Sequence, residues 1–143
     1  MTGRDANETM LRRLIDAFWN GGPDYSVFGE FFHGDAVLHA DGVDYPGRDG
    51  LCDGFAAPFY AAFPDLVFDI RQLVVEEDQA AMRYRGRGHL MHDYGGARAT
   101  SQCFEYHGIA IFGLRDGKIA EVWSQSDFGA WLAAQPRADQ PIS

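Results

Sequence analysis

Cysteine is nearly missing from this 143-residue chain: only Cys52 and Cys103 occur, in separate segments with no metal-ligand spacing. That leaves no disulfide framework and no cysteine-based zinc site, and two free thiols fit a reducing compartment. Lysine is scarcer still, with Lys118 alone beside eleven arginines; the 12 basic residues face 21 acidic ones, for a net charge of −9. Such a surface repels phosphate backbones and anionic lipid heads, so neither nucleic acid nor a membrane is an expected partner. The one basic cluster, Arg83, Arg85 and Arg87, alternates along a strand pattern and reads as a solvated or interface-lining face. Long apolar runs are also lacking. None approaches the ~20 residues needed to span a bilayer, and the start, with Arg4, Asp5, Asn7 and Glu8, has no secretory apolar core. A cytoplasmic address is the default expectation.

What is present is a core. Hydrophobic residues make up 46% and aromatics 14% of the chain, enough for one domain over 1–143, with its core at 8–135 and a polar tail at 136–143. From Glu8 to Asn20, Met10, Leu11, Leu14, Ile15 and Phe18 recur at helical spacing, with Asp5 or Asn7 as N-cap and Gly21-Gly22-Pro23 as a stop. Asp24 is placed to cap a short second helix carrying Val27, Phe28, Phe31 and Phe32, and Ala36 to Ala40 reads as a short strand. Asp49 is placed to cap a third helix with Leu51, Phe55, Phe59 and Ala62 on one side, ended by Phe63-Pro64-Asp65. Beyond it the pattern turns to strands: Leu66 to Val75, Gln79 to His92, Arg98 to Phe112 and Lys118 to Ser126. A short closing helix follows Asp127, which is expected to be its N-cap or a carboxylate at a pocket rim. Helices followed by a long antiparallel sheet give an α+β fold, three helices covering one face of a curved sheet that wraps them as a cone. An apolar cone interior is a ready ligand site.

The last two strands meet at Arg115-Asp116-Gly117-Lys118, a hairpin signal between β-branched and aromatic runs. Two registers are open. A two-residue loop pairs residues whose numbers sum to 233 and puts His107 on the face of Ser124 and Ser126. A three-residue loop, a type I turn with Gly117 left-handed in a bulge, pairs numbers summing to 232, so residues of like parity share a face. The second is favoured. It sets Tyr106, Gly108, Ala110 and Phe112 beside Ala120, Val122, Ser124 and Ser126, and His107, Ile109 and Ile111 beside Glu121, Trp123 and Gln125. His89 and His92, three apart on a strand, fall on opposite faces, which argues against joint metal ligation; no metal site is expected.

The element order, Phe63-Pro64-Asp65, the run His107-Gly108-Ile109-Ala110-Ile111-Phe112 and the ending Gly117-Lys118-Ile119-Ala120-Glu121-Val122-Trp123 with Asp127 together resemble the SnoaL-like polyketide cyclases of the nuclear transport factor 2-like superfamily. The resemblance runs from about Glu8 to Gln135. It implies a cofactor-independent cyclase closing a carbon ring on a small, apolar polyketide-like substrate, and a homodimer formed through the outer sheet face. Isomerases, hydroxylases and non-catalytic binders of apolar metabolites share the fold. The family's aldol-type members use an acidic residue on the last strand and a histidine on the strand before it; Ser124 and Ala110 stand in those slots here. The isomerase acid slot is also near Ala110, with Leu14 in place of the helix-one tyrosine. The resemblance therefore implies an inner wall without strong acids or bases, and a reaction that rests on folding the substrate into a reactive shape. Tyr106, Ser124 and His39 are the expected catalytic hydrogen-bonding groups, His39 lying near the mouth of the cone. Leu14, Phe18, Phe59, His89, Gly108, Ala110, Phe112, Val122, Ser126 and Asp127 are the expected substrate contacts. His107 and Glu121 look like an acid–base pair, but the favoured register turns them away from the cavity.

Overall fold

A computed structural model describes residues 3–20 and 25–140. Helix α1 (Gly3–Leu14) passes into a wider π-helical turn over Ile15–Trp19, and a short turn at Tyr25–Val27 leads into α2 (Phe28–Phe31). Strands β1 (Phe32–Ala40) and β2 (Val43–Pro46) follow, then a helical run of α3 (Gly47–Asp49), a π-helical Gly50–Ala56 and α4 (Ala57–Ala62). Strands β3 (Val67–Val75), β4 (Gln79–His89), β5 (Cys103–Arg115) and β6 (Lys118–Ser126) complete a six-stranded sheet, and α5 (Phe128–Ala133) closes the chain. No helix among the described residues is long and apolar enough to cross a membrane.

The sheet order is β2-β1-β6-β5-β4-β3. All neighbours are antiparallel except β1 and β6, which run parallel, so the curved sheet is mixed rather than wholly antiparallel. The first half of the chain thus folds back beside its last strand, a pairing that periodicity within one strand does not encode.

Several boundaries differ from the sequence expectation. Asn7 does not cap α1, which is already helical from Gly3. Its side chain is buried and donates to the carbonyls of Glu76 (3.1 Å) and Glu77 (2.9 Å), pinning the helix to the β3–β4 turn. Asp49 lies within the third helical region rather than capping it; that region opens at Gly47, whose φ of +77° only glycine adopts at low cost. The expected cap Asp24 and stop Gly21-Gly22-Pro23 lie outside the described residues. Phe32 belongs to β1, not to the second helix, and β2 went unread because Asp41-Gly42, both at positive φ, form its turn within a short polar stretch. Strand β4 stops at His89 and β5 begins at Cys103, since 90–102 forms a loop stitched by Leu90–Gln102 and Ser101–Leu90 backbone bonds.

The hairpin register is the most instructive case. Its turn is the two-residue Asp116-Gly117, both left-handed (φ 53° and 75°), and Arg115 faces Lys118. The expected three-residue turn is therefore incorrect. Two residues later a bulge at Ala120 inserts one unpaired residue, because Leu114 opposes Ile119 while Gly113 opposes Glu121. Beyond it, paired numbers sum to 234, as in Ala110↔Ser124 and Phe112↔Val122. Like parities share a face after all, through a device different from the one expected.

Inward side chains of the strands pack on the helices in one cluster that includes Leu11, Phe18, Phe31, Phe63, Met82 and Ile119, each essentially inaccessible to solvent. An aromatic group of Phe59, Phe63, Tyr94, Phe104, Phe128 and Trp131 fills the end of the cone beneath α5. Burial of such rings, with centroids about 4.5–7 Å apart, supplies much of the stabilisation there.

Candidate active site

The cavity is built from period-two alternation. On β4, β5 and β6 the inward residues Met82, Tyr84, Tyr106, Ala110, Phe112, Val122 and Ser124 form one wall, continued on β1 by Leu38 and Ala40. Phe68 on β3 adds a flank. The opposite wall comes from helices: Leu14, and from the two π-helical turns Ile15 and Trp19, Leu51 and Phe55. Such turns are rare and recur at functional sites; here both border one cavity. The cavity volume is about 90 Å³, small beside the roughly 300–1,000 Å³ of ligand pockets.

Two tyrosines set the polar end, and two glycines make room for them. Tyr84 pairs with Gly108, and Tyr106 with Gly86, across β4 and β5. A Cβ on Gly108 would come closer than 3.0 Å to the Tyr84 hydroxyl, and one on Gly86 equally close to the Tyr106 ring. Each ring lies over the facing glycine, and that missing side chain lets the Tyr84 hydroxyl cross β5 and hydrogen-bond Ser124 Oγ on β6 at 2.7 Å. Tyr84 also stacks on Phe68 (4.8 Å, 26°), which stacks on Trp19 (5.0 Å, 25°). Burial pushes both phenols up from their ordinary value, Tyr106 strongly, so neither ionises near neutral pH. Among the described lining residues there is no carboxylate and no histidine.

Of the expected residues, Tyr106, Ser124, Leu14, Ala110, Phe112 and Val122 line this cavity. Gly108 faces it but is covered by Tyr84. The others lie elsewhere. His39 does not face the interior: parallel pairing sets it beside Trp123, on which it stacks (5.7 Å), with its ring nitrogens bonded to Asp44 (2.7 Å) and Glu121 (2.6 Å) on the outer face. Phe18 is buried behind the wall against Phe28, Trp19 and Tyr60, and Phe59 in the aromatic end against Phe63 and Phe128. His89 sits on the exposed surface, paired with Asp65 at 2.5 Å. Ser126 is engaged by Asp41 and by the amide of Phe128. Asp127 stands before α5 without capping it through its side chain; its carboxylate accepts the His107 amide at 2.8 Å. His107 and Glu121 both point outward, yet not at each other: Glu105 is the carboxylate near His107 (3.5 Å), and Glu121 takes His39.

Tyr84, Trp19, Phe55 and Phe68, which also line the cavity, were not among the expected site residues. The Tyr84-x-Gly86 and Tyr106-x-Gly108 repeats were the signal, since each becomes meaningful when the strands pair antiparallel.

The other face of the same strands is different. Ile109, Ile111 and Trp123 are 56%, 48% and 44% exposed. With Arg83, His107, Gln125 and Asp127 they line an open groove. Among the described residues no three His, Cys, Asp or Glu side chains converge as a metal site.

Comparison with known proteins agrees with this architecture. Residues 9–135 match the family model of the SnoaL-like polyketide cyclases. A protein from Jannaschia sp. CCS1 named as a candidate SnoaL-like polyketide cyclase superposes with a TM-score of 0.84 at 22% identity, over 95% of this chain and 97% of that one. IdmH from Streptomyces antibioticus, named as a candidate polyketide cyclase, gives 0.74 at 28% identity over 89% and 96%. AclR from Streptomyces galilaeus, named as a candidate hydroxylase, gives 0.74 at 21% over 96% and 90%. No curated protein matches in sequence.

Proposed function

Since the chain belongs to the SnoaL-like polyketide cyclase family, we propose that it closes a carbon ring on a polyketide-type, largely apolar intermediate without a cofactor, chiefly by holding the flexible chain in a reactive shape. The observation that carries this reading is the wall itself. Its hydrogen-bonding side-chain groups among the described residues are two phenols, the Ser124 hydroxyl and the Trp19 indole, all neutral at working pH. Orientation alone supplies effective molarities of 10⁵ M or more, roughly 7 kcal/mol. Tyr106 and the Tyr84–Ser124 pair are the groups placed to hydrogen-bond an oxygen of the bound chain, while His39, on the outer face, has no part in the chemistry.

A ring-forming substrate is larger than the cavity, so binding requires side chains to swing aside. Trp19 and Phe55, whose rings meet edge-on at 6.4 Å, belong to the two π-helical turns and are the natural gate. The outer groove supports a second copy of the chain as its occupant, since three exposed apolar side chains cluster on it.

The test is turnover of linear polyenones, followed as conversion to a cyclic isomer of equal mass. Tyr106→Phe and Ser124→Ala should each slow it by roughly tenfold, the worth of one hydrogen bond, with a flat rate between about pH 6 and 9. Complete loss in either variant, or a bell-shaped profile, would replace shape control with acid–base catalysis. Ligand returned unchanged would make the protein a binder.

A further inference from the structure

Two phenols reach the cavity, and only one of them has its hydrogen bond made. The Tyr84 hydroxyl meets Ser124 Oγ at 2.7 Å. Tyr106 is only 5% exposed, yet among the described residues none hydrogen-bonds its hydroxyl. Its ring is enclosed by other rings: Phe104 and Phe128 with centroids at 5.4 Å, Tyr84 at 6.1 Å, Phe59 and Phe68 at 6.3 Å. Phenylalanine would pack there equally well, and a hydroxyl taken from water without a partner destabilises the fold. Every fully enclosed side-chain oxygen or nitrogen among the described residues has a partner. The Tyr106 oxygen therefore borders open space, and the space that Tyr106 lines is the cavity. Trp19, whose indole N–H is also unpaired among the described residues, is only partly buried.

The unused capacity is a proton more than a lone pair. Conjugation into the ring makes a phenol oxygen a weak acceptor and its O–H a strong donor, and burial keeps the proton in place. We propose that Tyr106 is the cavity's free donor and sets the ligand it takes: an apolar chain carrying a ketone or enone carbonyl whose oxygen accepts the Tyr106 O–H. This deepens the cyclase reading and rests on the cavity being the substrate site. The Tyr84–Ser124 pair has already made one bond within the wall and leaves less to offer. Gly86 is a positioning residue: a Cβ there would stand 3.0 Å from the Tyr106 hydroxyl and closer still to the ring, so any side chain would push the phenol off this position.

Three probes of one shape read the choice: acetophenone, α-methylstyrene, in which a methylene replaces the carbonyl oxygen, and 1-phenylethanol. Binding to the full chain is followed by NMR titration. Tyr106→Phe removes one oxygen and keeps the ring, and should lower the affinity for acetophenone relative to α-methylstyrene by about five- to tenfold, the worth of one hydrogen bond. A change of packing alone would weaken all three probes together, and a Tyr106 that accepted instead of donating would place the loss on 1-phenylethanol alone. The carbonyl stretch of bound acetophenone should lie at lower frequency in wild type than in Tyr106→Phe. Gly86→Ala keeps the hydroxyl but displaces it and should lower the same ratio, with circular dichroism melting to confirm that both variants are folded. An unchanged ratio or an unshifted stretch in Tyr106→Phe, a loss confined to the alcohol, or failure of acetophenone to bind wild type overturns the proposal; an unchanged ratio in folded Gly86→Ala removes the glycine's role. None of the probes can cyclise. A ketone preference that depends on Tyr106, with no turnover of polyenones, would sink the cyclase reading and leave this one standing, and intact turnover without that preference would do the reverse.

Discussion

The two faces of β5 and β6 are made from the same two strands, one residue out of step, and they have opposite chemistry. Even-numbered Tyr106, Ala110, Phe112, Val122 and Ser124 point inward to a wall of methyls, rings and hydroxyls. Odd-numbered His107, Ile109, Ile111, Glu121 and Trp123 point outward, where the histidines and their carboxylates pair beside exposed apolar side chains. A buried charge without a partner is costly, and an exposed one is cheap. The sheet thus divides its carboxylates and histidines by face, and the hydrogen-bonding side chains of the inner wall are neutral.

The sharpest way to break that contrast is to move one carboxylate by one residue. Ala110→Asp buries an unpaired charge and should destabilise the fold by about 3–5 kcal/mol, seen as a large drop in the urea midpoint, whereas Ile111→Asp next to it should leave the monomer within about 0.5 kcal/mol of wild type. Equal effects would mean that the two faces are not distinct. A smaller loss is expected from Gly108→Ala, about 1–3 kcal/mol from overpacking against Tyr84, measured in the same way. Ile111→Asp should in turn weaken self-association by about tenfold or more by sedimentation. No change would remove the outer groove as the contact between copies.

The smallest effect expected is on pH. Asp44, and after it Glu121, hold the His39 imidazole above its usual value of 6.5. Because the folded-state pKa is the higher one, the stabilisation is full below about pH 6.5 and is lost as pH rises through the folded value. The melting temperature of wild type should therefore decline relative to His39→Gln between about pH 6 and 9. Parallel curves would show that the pair contributes nothing.

What was legible in the chain follows the range of each signal. Alternation put Tyr106, Ala110 and Phe112 on one face of β5, and Val122 and Ser124 on one face of β6, because side-chain direction in a strand is decided residue by residue; that the two sets share a wall depended on the register. The helices were legible at their centres from apolar spacing. Their ends were not, since Asn7 and Asp49, both good capping residues, are used or placed otherwise. His39 was misplaced because its direction depends on which strand lies beside β1, and that neighbour, β6, is more than 80 residues away.

Sequence alone determined the α+β order, the hairpin at Asp116-Gly117 and the family likeness, which rest on local patterns along the chain. Only the tertiary structure decided the Ala120 bulge that restored parity, the parallel β1–β6 pairing that turned His39 outward, and the meeting of Tyr84, Gly108 and Ser124. Local periodicity says which way a side chain points relative to its neighbours; strand pairing across the sheet says what it points at.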